Sequence, residues 1–225
     1  MNFFAHAAVA SQERDEPEFV LGSMLPDFAS MTGRRLRGSS HAAVAAGVSF
    51  HLRSDAAFHD SEGFRMLWLA GTRTLRERGV PRGPARGAAH VGIELLLDGA
   101  LLDDAALCGL YEGALRAGAD PALRAGLEWS HEDGDARWGR LHARLVEQGV
   151  PHGYRDVAVV AERVARALAS RPRLAIGDEH HDRLRRWLEE VRPTIERDAP
   201  ALLGQVREGL QVRALADGAA SRPLR

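Results

Sequence analysis

Lysine is absent from this chain: all thirty basic residues are arginine. Alongside the abundant alanine and glycine, this is a mark of GC-rich coding, so the choice of arginine over lysine says nothing by itself about function. Thirty basic residues against thirty-one acidic ones leave a net charge of −1, which excludes a general polyanion or nucleic-acid binder. The single cysteine, Cys108, excludes an internal disulfide framework and any cysteine-rich zinc site. In the run Ala105-Ala106-Leu107-Cys108 it reads as a buried structural thiol. No apolar run reaches the length of about 18 residues that a spanning helix needs, so membrane insertion is not expected. Met1–Ala10 is apolar but short and lacks a basic leading region, so it does not read as a secretion signal and a cytoplasmic protein is expected. Gly-x-Ser-x-Gly, Gly-x-x-x-x-Gly-Lys and the dinucleotide-binding glycine pattern are also missing.

Aromatic residues make up only 6% of the chain and alternating β-branched runs are scarce. What fills the sequence is Ala, Leu, Arg and Glu, with apolar residues three and four apart. That pattern predicts an all-α protein, a single helical domain over 1–216 with a disordered tail at 217–225. Helices are expected over Asn2–Ser11, within Glu18–Ser30, over Ala42–His59 behind an N-cap at Ser40, and over Ser61–Arg78. Pro26 is expected to interrupt or begin a helix, leaving Asp27 at a terminus or turn. Thr32–Ser40 and the glycine- and proline-rich Gly79–Gly87 read as loops, and His131–Asp135 as an acidic loop. Further helices are expected over His90–Leu102, Leu107–Gly118, Pro121–Ser130, Arg137–Gln148, Asp156–Ser170, His180–Arg197 and Ala201–Leu215.

Polar residues stand out where they break apolar helices. The stretch Phe50–Asp60 carries His51, Asp55, His59 and Asp60. On a helix, successive i+4 steps drift by about 40°, so His51, Asp55 and His59 share one stripe. Residues i and i+8 lie about 12 Å apart along the axis, whereas ligand bonds to a divalent ion are near 2 Å. One ion therefore cannot take all three. His90, Glu94 and Asp98 recur every four residues along another apolar helix. Burying their carboxylates demands a cationic partner, either an arginine or a metal ion. His6 in Phe3–Val9 reads as a satisfied core histidine or a ligand, and Asp27 as a helix cap or a ligand. A site built from His6, Asp27, part of His51–Asp60 and part of His90–Asp98 would mix nitrogen and oxygen donors. Such a set suits Mn, Mg, Fe or Zn. Asp178-Glu179-His180-His181 has ligand-type residues but reads as a solvated helix tip.

Three segments resemble the acyl carrier protein phosphodiesterases: Met1-Asn2-Phe3-Phe4-Ala5-His6, Leu21-Gly22-Ser23-Met24-Leu25-Pro26-Asp27-Phe28, and Gly47-Val48-Ser49-Phe50-His51-Leu52-Arg53-Ser54-Asp55. Tyr154-Arg155-Asp156 and Ala167–Leu174 are similar to that family's C-terminal region. His59-Asp60 forms the His-Asp pair of the wider HD phosphohydrolases. The resemblance implies an all-α, HD-phosphohydrolase-like bundle and a Mn- or Mg-dependent enzyme that releases 4′-phosphopantetheine from acyl carrier protein. It implies metal ligands among His6, Asp27, His51, Asp60, His90 and Glu94. It further implies Asp27 or Asp55 as the group that orients water or takes its proton, and Arg53 or Arg65 as a balance for phosphoryl charge. The chain departs from the family in three places. Leu52 follows His51 where the family has arginine. His59 stands in place of a threonine, which sets His59 aside as a ligand. The helix that reads Asp-x-x-x-Asp-His in the family is His90-x-x-x-Glu94-Leu95 here. A divergent phosphodiesterase with a changed substrate is expected, and the alternative is a non-catalytic helical binding protein on the same scaffold.

Overall fold

In the computed structural model, which describes residues 1–220, the apolar opening of the chain becomes the central helix. This helix, α1 (Phe3–Glu13), buries every residue from Phe3 to Ala10. A helix that is apolar all round must be covered all round. The cover comes from α2 (Pro17–Thr32), α3 (Ala42–Asp60), α5 (Arg82–Ala100), α6 (Ala105–Ala117) and the long α10 (His181–Ala220). Between α3 and α5 runs α4 (Glu62–Glu77), and α7 (Pro121–Ala125), α8 (Gly134–Gln148) and α9 (Val157–Ala169) complete the set. The elements form one mostly helical domain.

Sequence fixes several helix starts through side-chain caps, each contributing about 1 kcal/mol. Ser61 Oγ accepts from the Phe64 amide at the start of α4, Asp104 from Leu107 at α6, Asp120 from Ala122 at α7, and Asp156 from Ala158 at α9. Helix α1 is capped from a distance. The Asp98 carboxylate on α5 accepts from the free amides of Phe4 (3.3 Å) and Ala5 (2.8 Å) and from Asn2 Nδ2 (2.5 Å). The cationic partner expected along the His90–Asp98 stripe is, at Asp98, a helix N-terminus.

Several sequence expectations need correction. Pro26 neither breaks nor starts a helix but lies inside α2. Its missing N–H costs α2 one internal bond, and packing of α2 against α1, α3 and α6 outweighs that loss. Pro193 and Pro200 likewise lie inside α10, so the two helices expected on either side of Pro200 are one. The helix α5 begins at Arg82, within the expected loop, because Pro84 falls in the first turn, where an N–H has no helical partner to lose. Ser40 does not cap α3. It donates its amide to the Gly126 carbonyl, and His41 occupies the cap position. Two short strands, β1 (Leu36–Ser39) and β2 (Leu127–Trp129), pair antiparallel where a loop and a helix were expected. Asp133 in the acidic loop ties this ribbon down, accepting from Arg34 at 2.5 and 2.7 Å and from Arg137 at 2.7 Å. The helix α10 reaches Ala220, past the expected tail start at Asp217, and 221–225 lie outside the described residues.

Two close approaches set the helix spacing. Gly22 on α2 meets Gly47 on α3 with backbone against backbone. Trp187 of α10 lies where side chains on Gly71 of α4 and Gly92 of α5 would be, its ring atoms 2.5 and 2.8 Å from those Cβ positions.

Candidate metal centre

The α3 stripe His51, Asp55, His59 faces α1 on one side and α5 on the other, and the polar residues of four helices converge along it. They gather into two triads. In the first, His6 (α1), Asp27 (α2) and His51 (α3) bring one nitrogen or oxygen each within 4.8 Å of the others. In the second, His59 (α3) meets His90 and Glu94 (α5). Asp55 stands between, with Oδ1 3.6 Å from His6 Nε2 and Oδ2 3.2 Å from His59 Nδ1.

The hydrogen-bond network assigns the tautomers of the first triad. His51 Nδ1 lies 2.8 Å from the Ser23 carbonyl, which can only accept, so Nδ1 carries the hydrogen and Nε2 keeps a lone pair. Ser54 donates its hydroxyl to the His51 carbonyl at 3.1 Å and therefore accepts from His6 Nδ1, also at 3.1 Å. That leaves His6 Nε2 with a lone pair as well. The two rings stack at 3.9 Å between centroids. His6 Nε2 and Asp27 Oδ2 are both shut off from solvent and have no hydrogen-bond partner. Orphaned buried donors and acceptors are rare in folded proteins, and here two of them belong to residues of one triad. Burial pushes His6 down to about 3, lowers His51, and raises Asp27 well above the usual carboxylate range. Each shift is the effect of burial, which disfavours the charged form.

The remaining groups carry opposite demands. Burial alone would raise Asp55, but the hydrogen bond from His59 and the Met1 ammonium hold it well below the usual range. The ammonium lies 2.6 Å from Asp55 Oδ1 and 3.3 Å from Glu94 Oε1. Against its own burial, Glu94 is lowered by that ammonium and by His59 and His90. Burial works against protonating His59, yet hydrogen bonds to Asp55 and Glu94 raise it to about 9. None of the ion pairs made by Asp55 or Glu94 among the described residues involves an arginine.

Of the residues singled out in the sequence, His6, Asp27, His51, Asp55, His90 and Glu94 all lie in this centre. Two do not. Asp60 is exposed and accepts from Arg213 of α10, because it follows His59 by one residue and so points about 100° away around α3. Arg53 is exposed with its guanidinium over the Phe50 ring, 5.8 Å from the centroid, and Arg65 is also exposed. His59, set aside by the family alignment, belongs to the second triad. The Asp178–His181 cluster stays a helix tip, with His180 against Arg183 and Glu179. Cys108 is half-buried and its thiol is raised by burial.

Sequence reasoning missed three supporting features. Ser54 and the Ser23 carbonyl orient the histidines. The only sequence signal for Ser54 was a hydroxyl between His51 and Asp55 on an apolar face. Arg86 lies one turn before His90 and stacks over Trp68, 4.5 Å from the ring centroid, while the Trp68 ring meets His90 edge-on at 6.0 Å. This puts an exposed guanidinium at the rim. No helix among the described residues is long and apolar enough to cross a membrane. Comparison with family models, with curated proteins and with solved structures yields no match for this chain.

Proposed function

We propose that the protein is a divalent-metal-dependent phosphodiesterase, with Mn, Fe or Zn rather than Mg held by the two imidazoles and one carboxylate of His6, His51 and Asp27. The observation that carries this reading is that His6, Asp27 and His51 bring one ligand-type atom each within 4.8 Å of the others, while His6 Nε2 and Asp27 Oδ2 are buried and unpartnered. Two imidazoles and one carboxylate fit a hydrolytic ion, because they leave positions open for water and substrate. When bound, the ion supplies Lewis acidity toward phosphate oxygens and lowers the pKa of water.

The chain's own residues do the rest. Ser54 and the Ser23 carbonyl fix which nitrogens face the ion, as second-shell groups do at metal sites generally. Asp55 stays ionised beside His6, so it can accept the proton of the attacking water. Water adds across one P–O bond, giving a phosphomonoester and an alcohol. Arg86, rather than Arg53 or Arg65, is the guanidinium at the rim to meet the phosphodiester. The motif resemblance to acyl carrier protein phosphodiesterases supports holo-acyl carrier protein as the partner and 4′-phosphopantetheine as the product, in a cytoplasmic setting.

The test is an assay of Mn-loaded protein on holo-acyl carrier protein and on bis(p-nitrophenyl) phosphate. Release of phosphopantetheine, lost in Asp27→Ala, supports the full reading. Cleavage of the synthetic diester alone removes acyl carrier protein as substrate. Failure on both, with the ion bound, overturns the hydrolase.

A further inference from the structure

We propose that His59, His90 and Glu94 hold a second divalent ion, making this a two-ion centre with Asp55 between the ions. As a pair, the centre rests on the reading of His6, Asp27 and His51 as the first ion site. The second triad's own case stands on its geometry.

His90 and Glu94 are one turn apart on α5 and so share a face, and His59 comes to them from the last turn of α3. The three contacts close a triangle: His59 Nε2 to His90 Nε2 at 3.1 Å, His90 Nε2 to Glu94 Oε1 at 3.1 Å, and His59 Nε2 to Glu94 Oε1 at 3.3 Å. An ionised Asp55 can only accept, so the 3.2 Å contact places a hydrogen on His59 Nδ1. An ion would displace the second proton that Asp55 and Glu94 favour on this ring, and Nε2 would then turn a lone pair toward the point it shares with a carboxylate oxygen and a second imidazole nitrogen. Three electron-rich atoms aimed at one point is the arrangement of a cation site. A carboxylate behind a ligating imidazole is also the usual second-shell support of metal-bound histidine.

Neighbouring rings hold these imidazoles in place. Phe64 meets both His59 and His90 edge-on, at 5.0 and 5.2 Å, and Trp68 meets His90 in the same way. The two triads differ in access. The His6 side chain is fully buried, whereas the side chains of His59, His90 and Glu94 are 30%, 34% and 13% exposed. The second ion would therefore sit at the mouth, where a substrate first arrives. Its donors, two nitrogens to one oxygen, favour Zn, Mn, Fe or Co over Mg or Ca.

The carboxylates of Asp55 and Glu94 pair with the Met1 ammonium and with histidines, and with no arginine among the described residues, so their charge is available to an ion. Paired ions clamp both the attacking and the leaving oxygen in phosphodiester displacements.

The experiment is metal stoichiometry. Protein stripped with chelator and dialysed is titrated with Co(II), followed by visible absorption and by elemental analysis, for wild type, His90→Gln, Glu94→Gln, Asp27→Asn and His51→Gln. Circular dichroism melts confirm that each variant folds, and the glutamine and asparagine replacements keep side-chain volume close to native. The expected result is two ions per chain in wild type and one in every variant. Retention of wild-type stoichiometry by both His90→Gln and Glu94→Gln overturns the second site. One ion in wild type, lost in His90→Gln but kept in Asp27→Asn and His51→Gln, overturns the two-ion centre by removing the first site while the mouth site stands.

Discussion

Gly22 and Gly47 touch through their backbones: a Cβ on Gly47 would lie 2.8 Å from the Gly22 Cα and 2.2 Å from the Phe19 carbonyl oxygen. This contact decides how near α2 comes to α3. Asp27 lies five residues beyond Gly22 and His51 four beyond Gly47, so the same approach brings two ligands of the deep triad together. Gly47→Ala is expected to force the helices apart. Stability should fall by about 1–3 kcal/mol, the usual cost of overpacking a tight contact. Urea melts measure that loss, and Co(II) titration should show weakened binding at the deep triad. Unchanged ion affinity in a destabilised variant would show that the glycine pair serves packing only.

Asp27 offers a sign test. Burial raises its pKa well above the ordinary range, so without an ion its neutral form is favoured relative to an exposed carboxylate. Asp27→Asn is then nearly isosteric and should leave stability in chelator unchanged within about 0.5 kcal/mol. With an ion at a hundred times its dissociation constant, each site bound only by the folded state contributes about 2.7 kcal/mol. The variant should lack the share of the deep site. Thermal melts with and without Mn give both numbers. A variant as stable as wild type in saturating Mn contradicts the ligand role of Asp27.

Asp98 should give a pH signature. Burial pushes its carboxyl up to about 7 despite the amides of Ala5 and Phe4 and the Asn2 side chain that favour the ionised form. Because the folded carboxyl binds its proton more tightly than the unfolded one, this group adds stability as pH falls from about 7 toward 4, and the benefit fades as pH rises through 7. The slope from one such group is at most about 1.4 kcal/mol per pH unit. Asp98→Asn should remove that slope from a plot of unfolding free energy between pH 5 and 7.5. Parallel curves for wild type and variant would rule the assignment out.

Arg53→Ala and Asp60→Ala test the residues that left the site. Arg53 lies over Phe50, and Asp60 pairs at the surface with Arg213, a kind of contact generally worth 0–1 kcal/mol. Phosphodiesterase activity and ion content should stay within about twofold of wild type, given the usual size of surface effects. A tenfold loss of activity in either would return that residue to the centre.

The helical class was legible because apolar spacing dominates this composition, and α3 was bounded nearly to the residue by Ala42 and the His59-Asp60 end. The breaks at Pro26 and Pro200 were misjudged because the cost of an internal proline is local, while the packing that absorbs it comes from helices distant in sequence. The strands β1 and β2 are three or four residues long, too short to show alternation. In the site, the four-residue spacing already put His59 on the stripe with His51 and Asp55. Alignment to a family motif set it aside, while the structure brings it beside His90 and Glu94. The sequence did not show that Asp98 would serve α1 instead of the ions. Nor did it show that the stripe divides into two triads, since that depends on where α5 places His90 and Glu94 beside His59.

That placement has a third party. Trp187 fills the notch at Gly92, which lies between His90 and Glu94 on α5, and the same ring rests on Gly71 of α4. The helix α10 also packs along α3. The mouth triad is thus braced from behind at Gly92. Under the proposed second ion site, exchanging Trp187 for a smaller side chain shifts the distance from His59 to His90, and with it the ion preferred, though no residue of the triad changes.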